Sequence, residues 1–231
     1  MAFVAGLLTT MTGVGGSVVF IALMTFLLPP QTVLVVSAPV LMVGNVSRVA
    51  LFRNSIQTTT LGWFLAGGVP AAAVAGLMLQ YIPHLALRLV IGIFMLGYVG
   101  QKLVARTWHP KPLPDRAFLA VGVAAGVASA TVGSSAPFFA PFFQSRILTK
   151  QQFVGTIAGG TAGLSAAKLA GYAGAGLLTK SLVPVVAVSA AGMAAGTLAG
   201  RYLLDRVSEQ AFARIVLAAI GFSGIRLLLD I

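Results

Sequence analysis

Long apolar segments divide the chain, and this pattern restricts the fold more than any other feature of the sequence. Of the 231 residues, 58% are hydrophobic and only 8% are charged, and the mean hydropathy is +0.98. A helix needs about 20 apolar residues to cross the hydrocarbon core of a bilayer. Charged and proline-bearing breaks leave segments of that length or longer at about 1–28, 32–52, 60–79, 85–104, 117–143, 152–172, 181–203 and 211–229. The sequence therefore predicts an all-α, polytopic membrane protein.

The strong positive charge is explained by this membrane setting. Fifteen Lys and Arg residues against four acids give a formal net charge of +11. No polar region is long enough to form a nucleic-acid-binding module, so we interpret the basic residues as loops that orient the protein in the bilayer. The chain has no cysteine and only two histidines, and we therefore expect no metal centre and no cofactor.

The two halves of the chain resemble each other. A shift of 120 positions places Arg48 on Lys168, and it aligns Gly6 with Gly126, Gly13 with Gly133, Gln31 with Gln151, Thr59 with Thr179 and Gly76 with Gly196. Apolar segments and breaks follow in the same order in both halves, as is typical of transporters built from repeats. We predict a single transmembrane domain over residues 1–231, with repeat one at 1–105, a loop at 106–116 and repeat two at 117–231.

Each repeat opens with a segment that exceeds one span and is interrupted in its middle. The interruptions are "TGVGGS" in segment 1–28 and "TVGSSAP" in segment 117–143. Each side of a break has about 12 residues, or roughly 18 Å of helix, which reaches only halfway through the hydrocarbon. The chain either turns back there as a re-entrant hairpin or continues as a kinked full span.

Charge placement favours hairpins and hence two repeats of inverted topology. With hairpins, one membrane face receives Arg53, Lys102, Arg106, Lys111, Arg116, Arg146, Lys150, Arg201, Arg206 and Arg214, and the other face receives only Arg88, Lys180 and Arg226. With full spans the basic residues divide almost evenly. Because basic loops collect in the cytoplasm, we expect loop 106–116 inside the cell and both termini outside.

The breaks are candidate anion sites. Backbone groups that leave helical geometry at mid-membrane must face a protein cavity, and half-helices that begin near Ser17 and Pro137 would point positive N-terminal ends into it. We therefore expect substrate contacts from the residues of both breaks, namely Gly13, Gly15, Gly16, Ser17, Gly133, Ser134 and Ser135.

Two cations lie inside the apolar segments without an acid nearby in sequence. Arg48 and Lys168 are costly there unless they face water, a partner or a ligand, and we expect them to attract a substrate anion. Asn45, Thr161 and Ser165 lie close to them in sequence and would add hydrogen bonds. The alternatives are that the cations extend to an interface and that the polar side chains only join helices.

Several motifs together resemble the TauE/SafE family of sulfite exporter-like membrane proteins. They are "GVGGS" at 13–17, "LFRNSIQTTTLGW" after the second segment, "GVPAAAVAGLML", "GVASATVGSSAPFFAPFF" and "GTIAGGTAGLSAAKLAGYAGAGLL". The resemblance covers almost the whole chain. It implies transport of small sulfur-containing anions, such as sulfite or sulfonates, by a multi-pass protein of the bacterial inner membrane.

We expect potential-driven export by alternating access, because an anion leaves an inside-negative cell downhill and no carboxylate or histidine lies mid-membrane. The expected partners are a small anionic substrate and membrane lipids, with no nucleic acid, and a homodimer is left open. One alternative is a cation carrier that uses Thr12 and Thr131, and another is a membrane assembly subunit. We expect no enzyme, because the serines lack an activating base in the membrane.

Overall fold

The computed structural model describes residues 1–12, 16–104, 111–146, 149–203 and 209–229. Within these ranges the chain forms ten α-helices and no β-strand. The helices are α1 (Ala2–Thr12), α2 (Gly16–Met24), α3 (Pro30–Phe52), α4 (Thr58–Met78), α5 (His84–Val104), α6 (Phe118–Val132), α7 (Ala136–Gln144), α8 (Lys150–Gly174), α9 (Val183–Leu203) and α10 (Glu209–Leu229). The all-α fold is confirmed. Gly13, Gly15 and the first five residues of the polar loop at 106–116 lie outside the described residues.

The predicted break is present in the second half, and in the first half α1 ends at Thr12 and α2 begins at Gly16, with the residues between them outside the described ranges. Segment 1–28 forms the short helices α1 and α2, and segment 117–143 forms α6 and α7, whereas each of the other six segments forms one long helix. The bounds of α7 follow those of α2 by 120 residues at both ends, and α8 likewise begins 120 residues after α3. Both halves thus have the same order of two short helices followed by three long ones.

The packing of the helices also repeats between the halves. The first helix of each half packs against the fourth helix of the other half: α1 contacts α9, and α6 contacts α4. In the same way α3 contacts α9 and α8 contacts α4, while α3 also contacts α8 and α5 contacts α10. If each helix is replaced by its equivalent in the other half, the contact of α1 with α9 becomes that of α6 with α4, and the contact of α3 with α9 becomes that of α8 with α4. The contacts of α3 with α8 and of α5 with α10 join equivalent helices.

Glycines allow these helices to approach closely. A Cβ atom at Gly6 would lie 2.3 Å from the carbonyl oxygen of Met193, and one at Gly196 would lie 2.0 Å from that of Phe3. Gly192 and Gly196, one helical turn apart on α9, both lie against α1, as expected of small residues at a close helix–helix contact.

Local sequence explains where the two central helices begin. Pro30 starts α3, where its missing N–H would have no helical partner in any case. Thr149 caps α8 through a reciprocal pair of bonds: its hydroxyl accepts from the Gln152 N–H at 3.2 Å, and its own N–H donates to Oε1 of Gln152 at 3.1 Å. These two helices carry the basic residues of the membrane interior.

The outer surface is apolar, as lipid contact requires. Val188 is 75% exposed and Leu198 is 65% exposed on α9, and Ile93 is 62% exposed on α5. Five stretches of the described residues are long and apolar enough to cross a membrane, namely Pro30–Ala50, Thr58–Tyr81, His84–Leu103, Asp115–Val132 and Lys180–Ala199. The protein is a multi-pass membrane protein.

Candidate functional site

The two interrupted segments meet at their breaks. The hydroxyl oxygens of Ser17 and Ser134 are 2.6 Å apart, although the residues are separated by 117 positions in the sequence. Ser17 lies in the first turn of α2, which begins at Gly16, and Ser134 precedes Ser135, the N-cap residue of α7. The N-terminal ends of the two short helices therefore lie next to each other inside the protein.

A polar cavity lies beside these helix ends. Its volume is about 40 Å³, which corresponds to about three water molecules at roughly 10–15 Å³ each. It is lined by Gly16, Ser17, Leu41, Gly44, Asn45, Arg48, Ser129, Gly133, Ser134, Ser135, Ala136, Ile157, Thr161, Ser165, Met193 and Thr197. Of the ten predicted site residues that the structure describes, nine are in this lining, and Lys168 is the exception.

Arg48 gives the cavity a positive charge. Its guanidinium donates a hydrogen bond through Nη2 to Oδ1 of Asn45, which is buried at 6% exposure. Residues three apart on a helix share a face, so Asn45 holds the Arg48 side chain at the cavity. The lining named above contains no aspartate or glutamate. Arg48 is thus the sole charged residue of the described lining.

The hydroxyl groups of the cavity differ in what they can offer a ligand. The Thr161 hydroxyl donates to the carbonyl oxygen of Ile157 at 2.8 Å, and the Thr197 hydroxyl donates to that of Met193 at 2.8 Å. A hydroxyl engaged in this way keeps its lone pairs for accepting. Donors for an anion come instead from Arg48 and from the first backbone N–H groups of α2 and α7, such as that of Ala136. In α7, Pro137 has no N–H, and the N–H groups of Phe138 and Phe139 already donate to the carbonyl oxygen of Ser135.

Gly133 makes the break in the second half. It ends α6 with a φ of +85°, a left-handed conformation that glycine adopts without strain. A Cβ atom there would also lie 2.6 Å from Cδ1 of Ile21 and 2.9 Å from Cδ2 of Leu34. Backbone geometry and crowding both require glycine at this position, so the chain can turn from α6 into α7 beside α2 and α3.

Lys168 contacts the same break from the other side. Its Nζ atom donates to the carbonyl oxygen of Gly133 at 2.9 Å and to that of Ser129 at 3.3 Å. One helical turn further along α8, the Tyr172 hydroxyl donates to the carbonyl oxygen of Ala130 at 2.6 Å. Lys168 and Tyr172 are both fully buried, so the Lys168 side chain does not extend to an interface. It binds backbone carbonyls at the C-terminal end of α6.

Sequence reasoning missed some contributors to the site. Met193 and Thr197 reach the cavity from α9, and Ser129 reaches it from α6. The spacing of four between Lys168 and Tyr172 was a visible signal that both residues act on one target, because such residues lie on the same helix face. No comparable signal marks Thr197.

The fold and the site define a class of protein: a membrane transporter with discontinuous helices, whose breaks meet at a central polar cavity. Comparison with known protein families identifies the group within that class. Residues 1–227 match the family model described as sulfite exporter TauE/SafE, and the chain belongs to this family of membrane transporters. Comparisons with curated proteins and with solved structures gave no match.

Proposed function

We propose that this protein exports small sulfur-containing oxyanions, such as sulfite or a short sulfonate, across the bacterial inner membrane. The observation that carries the proposal is the cavity between the breaks. Two helix N-termini and the Arg48 guanidinium surround it, and its described lining includes no acid. Membership of the TauE/SafE family supports the sulfur chemistry of the substrate.

The physical chemistry of this cavity suits a compact anion. Helix N-termini present free N–H groups and a partial positive charge of about half an elementary charge, and a charged hydrogen bond from arginine is stronger than a neutral one. The small cavity volume favours a tetrahedral or pyramidal oxyanion over a bulky organic acid. Ser17 and Ser134 can each turn a hydroxyl toward such an oxyanion.

The proposed cycle is alternating access between two inverted repeats at 1–105 and 117–231. The exchange of helix contacts between the halves supports a two-fold pair of repeats, which is the arrangement that alternating access uses, and the placement of basic residues favours the inverted form. In this proposal the broken segments are re-entrant hairpins, loop 106–116 is cytoplasmic and both termini are outside. The contact between Ser17 and Ser134 joins the two repeats at the substrate site.

The membrane potential supplies the driving force in this proposal. Moving one negative charge outward across an inside-negative membrane gains about 2.3 kcal/mol per 100 mV. Export of an anion then needs no co-transported ion. In liposomes we expect sulfite flux to follow the imposed voltage, and a strict dependence on a pH gradient with no response to voltage would contradict this.

Ligand-induced stabilisation tests the site. The purified protein is heated with sulfite, sulfate, thiosulfate or methanesulfonate, alongside Arg48→Gln and Arg53→Gln variants. Arg53 is the matched control, because it is exposed five residues further along the same stretch. Loss of a charged hydrogen bond costs about 1.5–3 kcal/mol, so the Kd of the Arg48→Gln variant should rise by about 10- to 150-fold, and that of the control should not change.

The outcomes separate this function from its competitors. If the Arg48→Gln variant binds the anion as tightly as the native protein, the proposed anion site is refuted. If no sulfur anion stabilises the native protein, an assembly subunit is favoured. A cation carrier has less support, because Lys168 already occupies the carbonyls of Ser129 and Gly133. Thr131, one ligand of that alternative, donates to the carbonyl oxygen of Val127 and is not in the cavity lining.

A further inference from the structure

Lys168 occupies an unusual place for a charged side chain. Its ammonium has no exposed surface, and its two protein acceptors are backbone carbonyl oxygens, of Gly133 and Ser129, rather than a carboxylate. Both carbonyls belong to the C-terminal end of α6, where the last four carbonyl groups of a helix lack partners within that helix. The ammonium therefore sits at the negative end of a half-helix.

This end of a broken helix is where transporters bind free cations. In transporters with discontinuous helices, carbonyl groups at half-helix C-termini coordinate Na⁺, because the partial negative charge of the helix end and the unpaired carbonyls both favour a cation. Burying a charge is costly unless it is well coordinated. The carbonyls of Ser129 and Gly133 and the end of α6 provide that coordination for Lys168.

We propose that the Lys168 ammonium is a tethered cation that takes the place of a coupling Na⁺ ion. Lys168 holds the α6 end and thereby the adjacent N-terminus of α7, which forms one wall of the cavity. Transport by the native protein accordingly requires no free Na⁺. Removal of the ammonium opens the carbonyl site to a free monovalent cation.

Neighbouring contacts distinguish this role from simple packing. Tyr172 binds the carbonyl oxygen of Ala130 at the same helix end, but its hydroxyl carries no charge. Loss of the Tyr172 hydroxyl removes a hydrogen bond without leaving a cation site. Loss of the Lys168 ammonium removes hydrogen bonds and also a positive charge. It leaves carbonyl groups that a free cation can bind, whereas loss of the Tyr172 hydroxyl does not.

The first experiment measures the Tm of full-length protein without any anion substrate other than chloride. The native protein and the Lys168→Ala, Lys168→Arg and Tyr172→Phe variants are compared in chloride salts of choline, Na⁺, ammonium and methylammonium. We expect the Tm of the Lys168→Ala variant to fall by several degrees in choline chloride and to recover most of that loss in Na⁺ or methylammonium chloride. The native protein, Lys168→Arg and Tyr172→Phe should show the same Tm in all four salts.

If Lys168→Ala lowers the Tm by the same amount in all four salts, the inference is overturned, since a free ion does not replace a purely structural lysine. A second measurement covers the case in which that variant does not fold. Sulfite flux by the native protein in liposomes should be equal in Na⁺ and in choline, and a requirement for Na⁺ would overturn the inference. Only this flux measurement rests on the proposed function, so failure of sulfite transport leaves the Tm test valid.

Discussion

Positions 48 and 168 are equivalent in the two halves, yet their basic residues do different things. Arg48 on α3 lines the cavity together with Asn45. Lys168 on α8 turns to the carbonyls of Ser129 and Gly133. Under the proposed function, the two matched positions thus supply one cation for the ligand and one for the backbone of the break.

Electrostatics explains why the two cations are separated in this way. Two positive charges in one small cavity would repel each other whenever the ligand is absent, and this repulsion is strong where water is scarce. Binding of Lys168 at the negative end of α6 removes that conflict. The two halves therefore resemble each other in helix order and packing more closely than in the chemistry of individual side chains.

The largest expected effect tests the shared packing. A Cβ atom at Gly6 would lie 2.3 Å from the carbonyl oxygen of Met193, and one at the equivalent Gly126 would lie 2.4 Å from that of Gly68. Since backbone cannot move aside easily, Gly6→Ala and Gly126→Ala should each lower the free energy of unfolding by about 3 kcal/mol. Unfolding in mixed detergent micelles measures this loss.

Gly97→Ala is the matched control, because a Cβ atom built at that position has no atom within 4 Å beyond its chain neighbours and the backbone of its own helix. Its unfolding midpoint should lie at the same denaturant concentration as that of the native protein or at a slightly higher one. Tolerance of alanine at only one of Gly6 and Gly126 would show that the two halves do not pack in the same way.

The second effect concerns the break itself. Gly133 and Gly176 both have positive φ, at +85° and +70°, but only Gly133 is crowded by neighbouring side chains. Left-handed backbone costs a residue with a side chain roughly 1–2 kcal/mol. Gly176→Ala should lower the free energy of unfolding by about 1 kcal/mol because of this strain. Gly133→Ala should lower it by about 2 kcal/mol, because crowding adds to the strain. Thermal or denaturant unfolding compares them, and equal losses would show that the break is loosely packed.

Hydropathy and breaker residues were sufficient to predict most of the fold. Apolar segments of about 20 residues predicted the helices, and glycine and hydroxyl residues predicted the interruption that precedes Ala136 and a separate short helix that begins at Gly16. These signals are local, because each depends on the chemistry of a short stretch and on the thickness of the bilayer. The sequence shift of 120 residues likewise located equivalent helices without reference to their packing.

The site was predictable only in part, because side-chain direction depends on which helices become neighbours. Arg48 and Lys168 have equally apolar surroundings in sequence, and nothing local indicates that only Lys168 meets the end of α6. Thr197 reaches the cavity because α9 packs against α1 and α3. Such contacts depend on rotation and crossing of helices, which hydropathy does not encode.

A smaller effect tests the contact between the halves. Ser17 and Ser134 share a hydrogen bond of 2.6 Å, and a hydrogen bond of this kind contributes about 1 kcal/mol. A double-mutant cycle with Ser17→Ala and Ser134→Ala should therefore give a coupling energy of about 1 kcal/mol in unfolding. Ser17→Ala combined with Ser181→Ala, at an exposed residue of another region, should be additive. Additivity of the first pair would contradict a direct contact.

The smallest effect belongs to an ion pair beyond the end of α7, whose arginine has no counterpart in the first half. Asp115 accepts from Nη2 of Arg146 at 2.7 Å and from the Thr60 hydroxyl at 2.8 Å, and a shift of 120 positions would place Arg146 on Phe26. The two charged side chains are 27% and 33% exposed, so solvent and salt screen their attraction.

Because exposed ion pairs contribute little, a double-mutant cycle with Asp115→Asn and Arg146→Gln should give about 0.5 kcal/mol at low ionic strength. The coupling should decrease in 1 M salt, where the screening length falls to about 3 Å. A coupling that is several times larger and insensitive to salt would mean that this pair, together with Thr60, anchors α7 as firmly as the Lys168 contacts do. The second half would then hold its broken helix at both ends, and the difference from the first half would extend beyond the cavity.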